Sequence, residues 1–410
     1  MTQSAEGPSA QTAPPEQAAH GPHRAFSIPR NVRVLSAVSF FQDAASELLY
    51  PVMPLFITIT LGAPPSVLGL IEGVAEGTAS VGKAVSGRLA DRFRRRPLVA
   101  FGYGISSLSK PIIGLAQGWG LVLGARFVDR VGKGVRTSPR DALIAADTPP
   151  EIRGAAFGFH RGADTAGAVV GPLLGLALYE AFNHHLRPLF FVAFVPAAVS
   201  VALIGFVREH PPPPEQIEKA KNEPLFAVSP RILPSRYWRV VVLLGLFGLV
   251  NFSDAFIILR ASDLGLGFVS IILAYVLYNI VYAGLSYPAG SLSDRIPRRL
   301  VYATGLAIFA IAYVGLGVAD SQAWVWVLLP LYGAYTALTD GVAKAWIADL
   351  LPAPVMGTGL GLFQGITGGC ALIAGIWAGL AWGHDGSTPL IVAGAVAAVA
   401  AVGVATARNT

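Results

Sequence analysis

Ionisable residues lie inside long apolar stretches of this sequence, where a charge can bind an ion, carry a proton or hold a charged substrate. Asp43 and Glu47 are four residues apart, so both lie on one face of a helix. A charge at the centre of a membrane helix costs roughly 2.5 to 3.5 kcal/mol unless it is paired or faces water. Further candidates of the same kind are Glu72, Glu76, Arg126, Asp129, Arg130, His160, Arg161 and Asp164.

We interpret these residues as a charged network that binds a coupling ion or a polar part of a substrate. Two like charges four residues apart repel, so each acidic pair is expected to hold a proton or to meet a cation. His160 lies beside Arg161 and close to Asp164 in sequence, which makes it a candidate proton relay. The pattern predicts no metal site.

The elements that carry these residues are predicted membrane helices. Hydrophobic residues make up 53% of the 410 residues and charged residues only 13%, whereas a soluble domain has about 25% charged residues. A membrane helix needs about 20 apolar residues. Twelve segments meet this length, at approximately 33–60, 66–90, 97–117, 120–143, 154–180, 188–208, 238–260, 266–289, 300–318, 323–348, 356–382 and 387–407. The composition therefore predicts an all-α membrane protein with twelve transmembrane helices.

A motif that occurs twice relates the two halves of the chain. It follows the second and eighth predicted helices at an offset of 203 residues, as Gly87-Arg88-Leu89-Ala90-Asp91-Arg92-Phe93-Arg94-Arg95-Arg96 and Gly290-Ser291-Leu292-Ser293-Asp294-Arg295-Ile296-Pro297-Arg298-Arg299. Phe41-x-Asp43-Ala44 also recurs, as Phe252-x-Asp254-Ala255, at an offset of 211. Duplication of this kind is typical of secondary transporters. It predicts two six-helix bundles related by pseudo-two-fold symmetry.

The domain boundaries and the orientation follow from composition. Residues 1–28 are rich in Ala, Pro, Gln and Gly and are predicted to be a disordered tail, and the Pro-rich, mixed-charge segment 209–236 is predicted to be a linker. The bundles are then 29–208 and 237–410. Arg residues concentrate in the loops after helices 2 and 8, and short cytoplasmic loops retain positive charge. We therefore expect both termini, the tail and the linker to be cytoplasmic, in an inner or plasma membrane, and the net charge of +6 needs no nucleic-acid partner.

The second copy of the repeat indicates which charges the fold itself does not require. At the offset of 203, Glu72, Glu76, Arg126, Asp129, Arg130, His160 and Arg161 correspond to Tyr275, Asn279, Leu329, Tyr332, Gly333, Phe363 and Gln364. We infer that the first bundle binds the ion or polar group and that Tyr275 and Tyr332 supply an aromatic wall. Asp254 is either part of this site or, like Asp43, makes a structural bond shared by both halves.

The repeated motif is similar to the cytoplasmic signature of the major facilitator superfamily, which the chain resembles across all twelve predicted helices. Arg126-Phe127-Val128-Asp129-Arg130-Val131-Gly132 resembles the fourth-helix signature R-x-x-Q-G-x-G, with Asp129 and Arg130 in place of Gln and Gly. Gly167-x-x-x-Gly171-Pro172-x-x-Gly175 resembles the fifth-helix motif associated with drug:proton antiporters. The resemblance implies the fold of that superfamily, transport by alternating access, and export.

The resemblance also implies roles for the two copies of the motif and for the fifth helix. Asp91, with Gly87, Arg92, Arg95 and Arg96, would latch the two halves together on the cytoplasmic side in the outward-open state. In the second copy of the motif, the corresponding residues are Gly290, Asp294 and Arg295. A carboxylate can accept hydrogen bonds from the free amides at the start of a helix, although the arginines could also serve only to set topology. Gly167, Gly171, Pro172 and Gly175 would form a close-packed pivot.

The sequence favours a proton-coupled exporter of a small polar or charged molecule, and it leaves the substrate open. Cavity carboxylates suit an organic cation or a divalent metal ion, whereas Arg126 and Arg130 suit an anionic metabolite or a siderophore, imported or exported. We expect neither an enzyme nor a cofactor, because no H-E-x-x-H, G-x-S-x-G or G-x-x-x-x-G-K-[ST] motif is present. The expected partners are the substrate, protons and the lipid bilayer, and the expected state is a monomer.

Overall fold

Helices that follow the twelve predicted spans make up the computed structural model, which describes residues 28–50, 52–63, 65–209, 233–383 and 386–407. The predicted tail and most of the predicted linker lie outside the described residues. The helices are α1 (Arg30–Leu49), α2 (Val52–Leu55), α3 (Pro65–Arg92), α4 (Arg95–Gly114), α5 (Trp119–Ala146), α6 (Arg153–Ala181), α7 (Arg187–Ile204), α8 (Ser235–Gly248), α9 (Ala255–Asp263), α10 (Phe268–Ser293), α11 (Arg298–Val318), α12 (Val325–Asp349), α13 (Met356–Leu380) and α14 (Ser387–Thr406).

Two predicted spans are interrupted where the sequence predicts one continuous helix. The first is divided into α1, α2 and a π-helical turn at Phe56–Thr60, and the seventh into α8 and α9. In the seventh span, the Ser253 hydroxyl accepts a hydrogen bond from the Ala255 amide at 3.3 Å. Short polar side chains such as Ser253 and Asp254 compete with the helix for backbone groups, which accounts for the break.

The helices pack into two bundles whose internal contacts follow the repeat. In the first bundle α6 packs on α1, and α5 packs on α3 and α4; in the second, α10 packs on α12, and α11 packs on α12 and α14. The bundles meet mainly through α3 against α13 and α6 against α10. Since α3 and α6 correspond to α10 and α13 at the offset of 203, these two contacts are equivalent. This is the two-bundle architecture with pseudo-two-fold symmetry predicted from the motif.

The first helices of the bundles also follow the offset of 203, and the predicted offset of 211 is wrong there. Gly167 packs closely against Asp43, and its counterpart Cys370 packs against Gly248. Asp43 therefore lies near the level of Gly248, within a helix. Asp254 lies after the break, about two helical turns further along the chain. The Phe-x-Asp-Ala match is a coincidence of composition, so Asp43 and Asp254 are not equivalent.

Six helices of the described residues are long and apolar enough to cross a membrane by length and composition alone. They are Pro150–Ala181, Arg187–Ile204, Val269–Ser293, Arg298–Val318, Ala353–Leu380 and Ser387–Thr406. Among the other spans, the first and seventh are interrupted, and α3 and α5 carry ionisable residues along their length. These less apolar helices pack against neighbouring helices, and the candidate site lies along those contacts.

Candidate functional site

The carboxylates of α1 face charged residues of α5 and α6 inside the first bundle. Asp43 lies within electrostatic range of Asp164, Lys133 and Glu47. Glu47 lies within range of Lys133, Asp164 and, across the bundle boundary, Asp254. The Glu47 Oε2 atom is buried and has no hydrogen-bond partner among the described residues. The spacing of four residues therefore does bring both carboxylates to one side of α1, as predicted.

A basic cluster surrounds Asp129 on α5. Arg126 Nη1 and Arg130 Nε are each 3.9 Å from Asp129 Oδ2. Lys110 of α4, which is buried, also lies within electrostatic range of Asp129. Lys110 was absent from the sequence-based candidates. The repeat did contain a signal for it, since its counterpart at the offset of 203 is the uncharged Tyr313.

Arg161 of α6 joins the two bundles by contacting one carboxylate in each. Its Nη1 is 2.6 Å from Asp164 Oδ2 in the first bundle, and its Nη2 is 2.7 Å from Asp340 Oδ2 in the second. Tyr282 donates a hydrogen bond to the same Asp340 oxygen at 2.7 Å. A guanidinium presents donors in a rigid fork, so one arginine can hold two carboxylates at once.

A second ionic contact between the bundles is centred on Asp141, which is fully buried. Arg140 donates to Asp141 Oδ1 through Nε and Nη2, both at 3.0 Å. Lys344 Nζ is 2.9 Å from Asp141 Oδ2, and Gln364 Nε2 donates to the same oxygen at 3.3 Å. Asp141 of α5 therefore forms an ion pair with Lys344 of the second bundle.

Asp340 and Lys344 were also missing from the sequence-based candidates. They are not among the charges that the first half carries and the second half lacks. The reverse comparison singles out both residues, since Asp340 corresponds to Thr137 and Lys344 to Asp141. A comparison in both directions would have found them.

His160 lies beside these ionic contacts. It is buried, its Nδ1 is 3.5 Å from the Ser36 hydroxyl, and Arg140, Asp164 and Asp141 are within electrostatic range. Its Nε2 has no hydrogen-bond partner among the described residues. The imidazole is therefore close to the carboxylates that it would need to exchange protons with.

The second bundle presents tyrosines around Asp254. Tyr332 donates to Asp254 Oδ1 at 2.7 Å, and Tyr278 donates to Oδ2 at 3.3 Å. The rings of Tyr278 and Tyr332 are stacked with their centroids 5.4 Å apart. Tyr275 stacks on Tyr50 of the first bundle, with 6.2 Å between the ring centroids. Charged groups on one bundle thus face an aromatic surface on the other.

Glu72 and Glu76 remain predictions. Both belong to α3, but their side chains lie outside the described residues.

The two copies of the repeated motif lie at one end of the bundles, which we name the latch end. Asp91 accepts hydrogen bonds from the amides of Gly357 at 2.8 Å and Thr358 at 2.7 Å, at the start of α13. Asp294 accepts hydrogen bonds from the amides of Gly154 and Ala155, both at 2.7 Å, at the start of α6. The first amides of a helix lack partners within it, and the helix dipole favours a negative charge there.

The electrostatics of Asp294, which follows the end of α10, reflect these contacts. Burial raises the pKa of its carboxyl above the ordinary value of aspartate. The amides of Ala155 and Gly154 and the charge of Arg298 oppose this rise. Asp294 therefore depends on the amides at the start of α6 to hold its charge.

The motif glycines allow the helices to touch at the latch end. A Cβ on Gly87 would lie 2.3 Å from the carbonyl oxygen of Gly357, and a Cβ on Gly290 would lie 2.0 Å from that of Gly154. Backbone atoms cannot retreat from such contacts as a flexible side chain can. Only glycine permits this approach, which explains why both copies of the motif contain it.

The arginines of the motif differ from one another in their contacts. Arg95 Nη2 is 3.7 Å from Asp91 Oδ1, and Arg96 donates to the Gly205 carbonyl oxygen at 2.8 Å, so both bind within the first bundle. Arg92 ends α3, and Arg295 is exposed. Near Asp294, Arg298 bridges two carboxylates, with contacts of 3.1 Å to Asp294 and 2.8 Å to Asp349. Arg153 of α6 contacts Asp349 at 3.1 Å.

The glycines of the predicted pivot pack inside the first bundle. A Cβ on Gly167, Gly171 or Gly175 would lie 2.4 to 2.7 Å from the carbonyl oxygens of Phe40, Ala44 or Leu48 of α1. Pro172 is buried in the same helix. This face joins α6 to α1, whereas the contacts of α6 with the second bundle use Gly154, Gly158 and Gly162.

Two helical bundles related by an internal repeat, with ionisable side chains between them, define a multi-pass membrane transporter. The family model of the Major Facilitator Superfamily matches residues 35–375 and 254–409, and the chain belongs to that superfamily. An uncharacterized MFS-type transporter of Methanocaldococcus jannaschii is 34% identical over 365 residues, covering 87% of this chain and 89% of the relative.

Two further similarities concern proteins with named activities. The multidrug resistance protein MdtG of Yersinia enterocolitica is 27% identical over 337 residues, covering 78% of each chain. The crystal structure of the human organic anion transporter MFSD10 superposes with a TM-score of 0.75 at 16% identity, covering 92% of this chain and 99% of that one. The latter likeness supports the fold, and the chain is a transporter of small molecules, not an enzyme.

Proposed function

We propose that the protein is a proton-coupled exporter of a small polar or charged molecule that works by alternating access. The observation that carries this proposal is the position of Arg161 between Asp164 and Asp340. One of these carboxylates lies among the acidic groups of the first bundle, and the other belongs to the second bundle. A change in charge at the first can therefore alter a contact that holds the bundles together.

The coupling follows from electrostatics. Asp164 shares its surroundings with Asp43 and Glu47, which are close enough to repel it. A proton that enters this group removes one negative charge and weakens the attraction for Arg161 or Lys133. The equilibrium between two bundle arrangements then shifts by the difference in interaction energy between them. Substrate release and proton uptake would then both act through the contact of Arg161 with Asp164 and Asp340.

Export and orientation have separate support. MdtG is a multidrug resistance protein by name, and the Gly167 to Gly175 motif resembles that of drug:proton antiporters. Arg92, Arg94, Arg95 and Arg96 concentrate at the latch end, which favours a cytoplasmic latch end and cytoplasmic termini in the cell membrane. With the latch end closed, this conformation would open outward. We expect a monomer, because two bundles already enclose the site.

The test is transport by the purified protein in liposomes under an imposed pH gradient. Ethidium, choline and benzoate serve as probes of an aromatic cation, a small cation and an anion. We expect a gradient of protons to drive accumulation of at least one probe, and addition of that probe to move protons, as followed by an internal pH dye. Transport that is the same with and without the gradient would show that proton coupling is wrong.

An anionic metabolite or siderophore is the second candidate, because Arg126, Arg130 and Lys110 gather around one carboxylate. A divalent metal ion is a further alternative, supported only by the carboxylates of α1. Glu47→Gln and Arg126→Gln separate these cases. If the ligand is a cation, Glu47→Gln changes the preference among charged probes and Arg126→Gln does not; an anionic ligand gives the reverse.

A further inference from the structure

Among the described residues, Asp254 has no basic partner, unlike Asp129 and Asp164 of the first bundle. Its two oxygens accept hydrogen bonds from Tyr332 and Tyr278, and no Lys, Arg or His of the described residues lies within the 4.0 Å of an ion pair. By contrast, Arg126 is 3.9 Å from Asp129 and Arg161 is 2.6 Å from Asp164, and Lys133 lies within electrostatic range of Asp43 and Glu47. An intramembrane carboxylate without a cation is costly unless a ligand or a proton neutralises it.

Glu47 lies across the bundle boundary from Asp254. The two carboxylates are within electrostatic range of each other, and Glu47 Oε2 is buried without a hydrogen-bond partner among the described residues. The stacked rings of Tyr50 and Tyr275 span the same boundary. The bundle boundary therefore brings two acidic groups and aromatic rings together.

We propose that this part of the bundle boundary binds an organic ammonium ion, with its charge between Glu47 and Asp254 and its alkyl groups against the tyrosine rings. The proposal rests on the proposed transport function and names its substrate class. Aromatic rings attract a cation through their faces and also cover its apolar substituents, a combination that quaternary ammonium ions satisfy. Tyr278 and Tyr332 fix the orientation of the Asp254 carboxylate, so the acidic group is already ordered before the ligand arrives.

Binding to the purified full-length protein in detergent tests this proposal without transport. The probes are choline, its uncharged isostere 3,3-dimethylbutan-1-ol, benzyltrimethylammonium and benzoate. A ligand that binds only the folded state raises the temperature of unfolding. We expect choline to stabilise the protein, benzyltrimethylammonium to do so at lower concentration, and the isostere and benzoate to have no effect. Equal effects of choline and its isostere, or a larger effect of benzoate, would overturn the proposal.

Substitutions locate the site. Asp254→Asn keeps an acceptor oxygen for one tyrosine and offers an amide donor to the hydroxyl of the other, but it removes the charge, and we expect the dissociation constant of benzyltrimethylammonium to rise about tenfold or more. Asp263→Asn is the matched control, because Asp263 is exposed at the end of α9. This variant should bind benzyltrimethylammonium with the dissociation constant of the wild type. Glu47→Gln is a second variant in case Asp254→Asn does not fold, and it should weaken binding in the same direction. Wild-type affinity in a folded Asp254→Asn or Glu47→Gln protein would contradict the assignment.

The two proposals fail in different experiments. Ammonium binding that depends on Asp254, together with transport that ignores a pH gradient, would reject proton coupling and keep the site. Proton-coupled transport of benzoate with no binding of ammonium ions would reject the site and keep the proposed function.

Discussion

Asp141 and Lys344 form an ion pair of 2.9 Å across the bundle boundary, and they are themselves 203 residues apart. Since 203 is the offset that relates the two halves, each residue contacts its own counterpart. A position that touches its symmetry mate lies close to the axis of that symmetry, as in an isologous interface. The pair therefore lies near the pseudo-two-fold axis, where opposite charges replace what would be two like charges in identical halves.

Loss of the lysine charge at this position should destabilise the protein. Lys344→Met leaves the fully buried Asp141 with Arg140 as its remaining basic partner, and we expect the free energy of unfolding to fall by about 1 to 3 kcal/mol. Lys344→Arg is the control and should retain most of the stability. Denaturant unfolding in detergent measures both. Equal stability of Lys344→Met and the wild type would mean that the pair contributes nothing to the closed arrangement.

Substitution of a motif glycine should open the latch end. Gly290→Ala places a Cβ 2.0 Å from the Gly154 carbonyl oxygen, so the helices must separate. The amides of Gly154 and Ala155, which bind Asp294, should then exchange with deuterium about fivefold faster or more. Mass spectrometry of the peptide at the start of α6 measures this rate. Gly284→Ala lies in the same helix with no atom within 4 Å of the added Cβ, and it should leave the rate unchanged.

Arg161 should not be replaceable by lysine. A lysine ammonium is a single point charge and cannot reproduce the fork that holds Asp164 and Asp340 together. We expect Arg161→Lys to reduce transport driven by a pH gradient by about tenfold or more, a size that corresponds to losing one charge-assisted hydrogen bond. Arg239→Lys, at an exposed position of α8, is the control. Normal gradient-driven transport in Arg161→Lys would show that the contact of Arg161 with Asp164 and Asp340 is not needed for proton coupling.

The sequence was sufficient for the architecture because its signals are local or repeated. Apolar length located the spans, and the motif at 87 to 96 and 290 to 299 located the symmetry. The amide contacts of Asp91 follow from general chemistry, since a carboxylate after one helix meets the start of another. The interruption at Ser253 was not predicted, because a short polar residue inside an apolar segment is compatible with either a continuous or a broken helix.

The candidate site was predictable only in outline. The contrast between charges in the first bundle and tyrosines in the second came from comparing the copies, and the contacts of Tyr332 and Glu47 agree with it. Which charges pair with each other could not be predicted, because Arg161 and Asp340 are 179 residues apart and meet only through bundle packing. The equivalence of Asp43 and Asp254 was wrong because a match of three residues does not determine the register of the helices.

The glycines of α6 should behave as a packing face inside one bundle. Gly171→Ala places a Cβ 2.7 Å from the Ala44 carbonyl oxygen, and we expect the free energy of unfolding to fall by about 1 to 3 kcal/mol. Gly124→Ala on α5 has no atom within 4 Å of its Cβ and should be neutral or slightly stabilising, because alanine favours helices. Because Gly171 packs α6 on α1 within one bundle, Gly171→Ala should leave deuterium exchange at Gly154 and Ala155 unchanged. Faster exchange there, as expected for Gly290→Ala, would instead indicate that α6 pivots on α1 when the latch end opens.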